Sequence, residues 1–320
     1  MSLTIGVDIG GTKIAAGLVD EHGTIGRRAR RETPALSSSA VVAAIVEVTR
    51  ELAEVAAASG EPVIGVGLGA AGFVDETRQV VRFASNLDWR EEPLAATVAA
   101  EVGLPVVVEN DANAAAWGEF RFGAGQGARG LVAVTVGTGV GGGVVLDQHL
   151  VRGSFGMAAE FGHMTQVPDG RACGCGRRGC WEQYASGNAL LREARGLAAE
   201  RRAEAGTLLA LGDGTPEGVV GRHVTEAARQ DDPVALEAFA RVGAALGTGI
   251  ADLVALLDPE LIVLGGGVSE AGDLLLAPTR TAFEAALVAR AHRPIAALVP
   301  ATLGNDAGLV GVADLARDLT

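Results

Sequence analysis

Residues 5–20 read IGVDIGGTKIAAGLVD, and residues 132–147 read VAVTVGTGVGGGVVLD. They align without a gap at an offset of 127. Each is an apolar run, a glycine turn and a second apolar run closed by an aspartate, Asp20 or Asp147. Alternating apolar residues running into a glycine turn predict a β-hairpin. Two unrelated hairpins could share this look. The alternative is two related domains, each offering a phosphate-facing turn across a cleft.

Outward from the first hairpin, 40–58 has few breakers and predicts a helix. A strand follows at 62–68, a short helix at 92–102, a strand at 105–108 and a helix at 111–120. The stretch 186–235 mixes helical pieces with a glycine-proline loop and reads as solvated surface. Residues 239–257 carry apolar side chains on most faces, which predicts a helix buried between layers. A strand at 261–264 enters the turn Gly265-Gly266-Gly267, and 308–319 closes as a helix. Strands alternating with helices indicate an α/β protein.

Glycine supplies 46 of 320 residues and aromatics only 4%, so the core is built of small aliphatic side chains. The formal charge of −13 argues against a generic nucleic-acid or anionic-membrane binder. An anionic small ligand remains compatible, since backbone amides and one lysine bind phosphate. MSLTIGVD has no basic segment before an apolar stretch, and the apolar windows are broken by Arg241 and Asp252. The expectation is a cytoplasmic protein with no membrane insertion.

DIGGTK is the sharpest phosphate signal. Gly10 and Gly11 let the backbone approach an anion, Thr12 adds a hydroxyl and Lys13 adds mobile positive charge. Asp8 at the strand end could hold a metal-bound water and help carry Mg²⁺ on nucleotide phosphates. Gly137, Thr138 and Gly139 would form the opposing turn, with Thr138 reaching the terminal phosphate. Gly265, Gly266 and Gly267 would lie under a nucleotide base or ribose. GxGxxG occurs at Gly137-Gly139-Gly142 and at Gly67-Gly69-Gly72. A dinucleotide site needs a helix after the turn, and VVLD reads as a returning strand.

In VVVENDANAAAWGE a buried strand delivers Glu109, Asn110 and Asp111 together. Asp111 is either a general base for a hydroxyl attacking phosphorus or a helix cap. Asn110 both donates and accepts, which suits a polyol. Asn86 in SNLDW, Glu160 and His163 in EFGH, and Glu182 add groups of the kind that pair with sugar hydroxyls. CGCGRRGC places Cys173, Cys175 and Cys180 within eight residues. Three thiolates leave tetrahedral zinc one ligand short, and His163 is the obvious fourth. A closed Cys₃His site would be structural, and free-thiol or catalytic-zinc readings are the weaker alternatives.

Together these motifs resemble the ROK family of repressors, open reading frames and sugar kinases. The likeness runs from IGVDIGGTK to GNDAGLVGVADLA and is nearest to the ATP-dependent glucokinases of actinobacteria. It implies the actin-like ATPase fold of hexokinases and Hsp70, two domains with a cleft between the lobes. The expected division is 1–110, completed by a C-terminal helix at 304–320, and 111–303. The resemblance implies Asp111 as catalytic base and phosphates against Gly10, Thr12 and Thr138. It implies glucose against Asn86, Asn110, Asp111, Glu160, His163 and Glu182, with backbone near Ala71 and Gly72 lining the same pocket. It implies His163, Cys173, Cys175 and Cys180 as ligands of a structural Zn²⁺.

The expected activity is transfer of the γ-phosphate of ATP to the 6-hydroxyl of D-glucose, with Mg²⁺. Rivals are another hexose, polyphosphate as donor, or a sugar-responsive repressor. The first phosphate turn starts within ten residues of Met1, so the expectation is a chain without the repressors' helix-turn-helix domain. A homodimer is the family expectation, and a homotetramer is compatible.

Overall fold

The computed structural model describes residues 2–34, 37–84 and 86–319. The first half runs β1 (Leu3–Ile9), β2 (Lys13–Val19), β3 (Ile25–Glu32), α1 (Ser38–Ala58), β4 (Val63–Ala70), β5 (Phe73–Val74), β6 (Val81–Ala84) and β7 (Trp89–Glu92). Then come α2 (Leu94–Val102), β8 (Val106–Asn110), α3 (Asp111–Phe122), β9 (Leu131–Val136), β10 (Val140–Leu146) and β11 (His149–Leu150). The remainder is mostly helical: α4 (Glu182–Ala185), α5 (Gly187–Glu200), α6 (Gly206–Leu211), α7 (Gly221–Arg229) and α8 (Pro233–Leu257). It closes with β12 (Leu261–Gly265), α9 (Asp273–Ala286), β13 (Ala297–Pro300) and α10 (Ala307–Leu315).

Two five-stranded sheets carry the fold, ordered β3-β2-β1-β4-β8 and β11-β10-β9-β12-β13. Relative to its own first strand each sheet has the same order, third-second-first-fourth-fifth. The near-repeat in sequence is therefore a repeat of topology, with each glycine turn joining the first two strands of its sheet. In the first sheet β1 and β2 are antiparallel, while β1, β4 and β8 are parallel. β5, β6 and β7 form a small antiparallel sheet of their own.

By contacts the chain divides into two compact units. One is Met1–Ala133 with Gly143–Ala159 and Ala301–Thr320; the other is Val134–Gly142 with Glu160–Pro300. The units do not part at 110/111. α3 stays with the first unit because it lies backbone to backbone against α10. A Cβ on Gly311 would stand 1.8 Å from the Ala114 carbonyl oxygen, and one on Gly118 would stand 2.3 Å from that of Ala307.

The same glycine logic seats α10 on the first sheet. A Cβ on Gly6 would lie 2.1 Å from the Leu309 oxygen, and one on Gly67 would lie 1.9 Å from the Val312 oxygen. α1 buries Val41, Ile45, Val48, Leu52 and Ala56, a stripe at helical spacing. Its first turn is capped by Ser37, whose hydroxyl accepts from the Ala40 amide at 3.2 Å.

In the second unit α8 has thirteen buried residues. Among the described residues it is the one helix long and apolar enough to cross a membrane. It serves as a core helix: its Gly243 meets Pro278 and its Gly247 meets the Thr279 oxygen of α9. The stretch 186–235 is not solvated surface. Leu190, Ala194 and Leu197 of α5, Leu208 of α6 and Val224 of α7 are buried. α5 and α7 are amphipathic, and the Arg and Glu residues of their outer faces mask the apolar stripe.

Candidate active site

Parallel strands end together, and open α/β sheets bind ligands beyond those carboxyl ends. The register pairs Asp8 with Gly69, Ile9 with Ala70, and Ala70 with Asn110. Asp8, Ala71, Gly72, Asn110 and Asp111 are thereby gathered at one edge of the first sheet.

The Gly10–Thr12 turn joins β1 to β2. The Gly10 amide donates to the Lys13 oxygen at 2.9 Å. Two of the turn's carbonyls are occupied by Thr33. Its hydroxyl donates to the Gly10 oxygen at 2.7 Å, and its amide donates to the Thr12 oxygen at 3.1 Å. Tying the carbonyls back leaves Gly11 and Thr12 exposed, the arrangement an anion needs. A Cβ on Gly11 would stand 3.9 Å from the Cβ of Asn86, which brings exposed Asn86 beside this turn. Ser85, the first residue of the SNLDW motif, lies outside the described residues.

The cap of α3 is not Asp111 but its neighbour. The α3 cap is Asn110, whose side-chain oxygen accepts from the Ala112 and Asn113 amides at 3.0 Å each. Asn110 Nδ2 donates to the Gly72 oxygen at 3.1 Å. Gly72 must be glycine, because a Cβ there would lie 2.5 Å from the Phe83 oxygen. Asp111 is the first helical residue, and its carboxylate accepts from the Ala112 amide at 2.9 Å.

Burial raises the Asp111 carboxyl above its usual range. Asp8 is raised to about 6 by burial and by the Asp111 charge, with Lys13 pulling the other way. Gly308 of α10 fills the space beside the pair, its Cβ position lying 3.8 Å from both the Asp111 oxygen and Asp8 Oδ1. Two carboxyls displaced upward at strand ends, with a lysine nearby, are the makings of a proton acceptor and a cation seat.

In the second unit the other turn pairs the Gly137 amide with the Gly139 oxygen at 3.0 Å. The start of α5 holds it, with the Gly187 amide donating to the Gly137 oxygen at 2.8 Å. The Gly265–Gly267 turn packs on the same strand end. The Val268 amide donates to the Val136 oxygen at 3.0 Å, and Gly266, at φ +85, would place a Cβ 2.5 Å from that oxygen. The two turns expected to touch nucleotide are therefore neighbours. Beside them opens a cavity of about 590 Å³ lined by Gly187, Leu190, Arg222, His223, Gly267 and Val268.

His163, Cys173, Cys175 and Cys180 place their ligand atoms within 4.8 Å of one another. Cys175 Sγ is 3.6 Å from Cys180 Sγ, and Cys173 Sγ is 3.7 Å from His163 Nδ1. Tetrahedral zinc with sulfur at about 2.3 Å and nitrogen at about 2.0–2.1 Å has edges of about 3.6–3.8 Å. The donor set fits Zn²⁺ in kind and in spacing, and no disulfide links these cysteines. His163 turns Nδ1 to the cluster, which frees Nε2 for another partner. Glu182 borders the cluster, its Oε1 3.0 Å from Cys173 Sγ, and Glu160 immediately precedes the 3-10 turn Phe161–His163.

Of the expected sugar-facing residues, Asn86, Asn110, Asp111, Ala71 and Gly72 stand in the first unit. Glu160, His163 and Glu182 stand in the second. Three further features escaped the motifs: Thr33 behind the first turn, the α7 wall of the cavity, and a buried ion cluster around Glu109.

The ROK family model matches residues 4–319. A glucokinase of Streptomyces coelicolor is 53% identical over 318 residues, covering 99% of this chain and 98% of the relative. A glucokinase of Thermotoga maritima is 37% identical over 316 residues, covering 98% of this chain and 97% of the relative. Among solved structures, a ROK family glucokinase from Streptomyces griseus in complex with glucose and AMPPNP superposes with a TM-score of 0.88. It is 53% identical, with 99% of this chain and 100% of the other covered. Full-length likeness of sequence and fold places the chain in the ROK family.

Proposed function

We propose that the chain is a glucokinase, transferring the γ-phosphate of ATP to the 6-hydroxyl of D-glucose. The observation that carries this reading is the division of labour between Asn110 and Asp111. Asn110 caps α3, so the neighbouring carboxyl is available at the strand end. Its pKa is raised by burial, as suits a proton acceptor. The glucokinase relatives, one of them solved with glucose and AMPPNP, support the substrate pair.

Asp111 takes the 6-hydroxyl proton as that oxygen forms its bond to the γ-phosphorus and ADP departs. The exposed Gly11–Thr12 segment, Lys13 and the Thr138 turn face phosphate, and positioning with charge stabilisation supplies most of the rate. Mg²⁺, seated near Asp8, would neutralise charge on the nucleotide phosphates. The cavity beside Gly267 takes the base. In the first unit Asn86 and Asn110 bind sugar hydroxyls, with backbone at Ala71–Gly72. In the second unit Glu160, Glu182 and His163 Nε2 do so, on a loop fixed by Zn²⁺. The resemblance supports action in the cytoplasm as a homodimer or homotetramer, which a native mass measurement would distinguish.

The test is a coupled kinase assay across hexoses, run with ATP and with polyphosphate, on the intact protein and on Asp111→Ala. Turnover should be highest on glucose with ATP. Asp111→Ala should lower kcat by about 10²–10⁴ with the fold and zinc content intact. Near-normal turnover in that variant would sink the assignment.

A further inference from the structure

Behind the β8–α3 junction lies a charged cluster that the reaction does not use directly. Glu109 is fully buried. Arg152 Nε donates to its Oε2 at 2.7 Å, and Arg78 Nε stands 3.3 Å from the same oxygen. The other carboxylate oxygen, Oε1, accepts from the Asn110 backbone amide at 2.9 Å and from Asn113 Nδ2 at 3.2 Å. Arg152 is anchored in turn. Its Nη1 donates to the Glu76 oxygen at 2.9 Å and its Nη2 to the Asp75 oxygen at 2.8 Å. The five hydrogen bonds and the Arg78 ion pair all converge on one carboxylate or on the guanidinium that holds it.

A buried ion pair rarely adds net stability over apolar packing of the same volume, because desolvating both charges offsets their attraction. What it adds is direction. The planar guanidinium fixes Oε2 from one side and two carbonyls from the other, a task a point charge cannot perform. Glu109 Oε1 then fixes the amide of Asn110, the residue whose side chain spans from Gly72 to the first turn of α3. A small displacement of the carboxylate is passed to Asn110 and to Asp111 after it.

We propose that Arg152, acting through Glu109, is a positioning residue that sets Asn110 and Asp111 for the sugar. The inference rests on the assignment of Asn110 to glucose made above. Arg152 lies 43 positions from Glu109 and outside every motif singled out in the sequence.

The experiment compares the intact protein with Arg152→Lys, Asn110→Ala and the double variant. Lysine keeps the charge and loses the fork. The readouts are melting temperature, the KM for glucose and the KM for ATP; KM is independent of the fraction folded. Arg152→Lys should raise the glucose KM about tenfold and leave the ATP KM within about twofold, since misplacement of a binding group well under 1 Å suffices for such a loss. The double variant should raise the glucose KM by less than the product of the two single effects, because both act on the same sugar contact. If Arg152→Lys does not fold, Glu109→Gln keeps the shape, removes the charge and should shift the glucose KM in the same way. A lowered melting temperature with unchanged glucose KM would overturn the positioning role. If Asn110→Ala raises the glucose KM and Arg152→Lys does not, this inference alone falls. If Asn110→Ala leaves it unmoved, the sugar assignment falls and the inference with it.

Discussion

The carboxylate of Glu182 occupies the space that a side chain on Gly139 would need: a Cβ there would lie 2.6 Å from Oε2. A residue beside the cysteine cluster thus rests directly on the backbone of the second glycine turn. Gly139 has no left-handed φ, so alanine is conformationally allowed at that position. The obstacle is the far end of a flexible side chain, which can move. Gly139→Ala should therefore leave the melting temperature within a few degrees and displace Glu182. With one charge-assisted hydrogen bond lost, the glucose KM should rise by about tenfold or more. An unchanged KM would show that the Glu182 carboxylate does not contact sugar.

Asp8 gives a pH dependence whose sign is fixed. Its folded-state pKa of about 6 lies above the ordinary 3.8. The folded chain holds this proton more tightly than the unfolded chain does. The stability that follows is complete below pH 3.8, declines as pH rises toward 6 and is absent above it. Asp8→Asn escapes that decline. It should melt at a higher temperature than the parent at pH 7.5, by an amount worth at most about 3 kcal/mol, and the gap should close toward pH 4. Nucleotide affinity should move the other way, falling in Asp8→Asn. A variant less stable than the parent at pH 7.5 would remove the basis for this account.

Metal removal probes the Cys₃His cluster. Cys175 is the exposed member, while Cys173 and Cys180 are buried. Cys175→Ala should lose bound zinc by elemental analysis, lower the melting temperature and weaken glucose binding by calorimetry. Full sugar affinity in a protein free of metal would refute a structural role for zinc.

The seam between the first sheet and α10 predicts a large effect from one methyl group. A Cβ on Gly67 would press on the Val312 carbonyl at 1.9 Å, and neither backbone can retreat. Gly67→Ala should cost about 3 kcal/mol or more in stability. Gly196, exposed within α5 with nothing within 4 Å, is the control. Gly196→Ala should raise stability by about 0.5–1 kcal/mol in the same melting experiment.

Features local in sequence were legible. The hairpins announced themselves through alternation and glycine turns, and α8 through its apolar faces. CGCGRRGC needed only His163, ten positions upstream, to complete a ligand set. Elements whose polarity contradicts their position were not legible. β3 reads IGRRARRE and is an edge strand, where charge is tolerated and guards against unwanted pairing. β5, β6 and β7 span two to four residues each, too few for a period. The glycines at 141–143, read with the 137 turn, belong to β10, and Gly143 abuts Ala116 of α3. In the site, DIGGTK was readable; Thr33 behind it, and Arg152 behind Asn110, were not. Their partners lie 23 and 43 positions away, and only the folded chain brings them together.

The glycine seam also orders events in time. Gly6 and Gly67 belong to strands made early in synthesis, whereas α10, which covers them, follows nearly the whole described chain later. Arg317 just beyond α10 donates to the Val19 oxygen across 298 positions. The bulk of the second unit, Glu160–Pro300, is contiguous and can assemble as it leaves the ribosome. The first sheet cannot; one face waits bare until α10 has been made. The first unit thus matures after the second, and the exposed strand face in that interval is where chaperone capture or aggregation would act on the nascent protein.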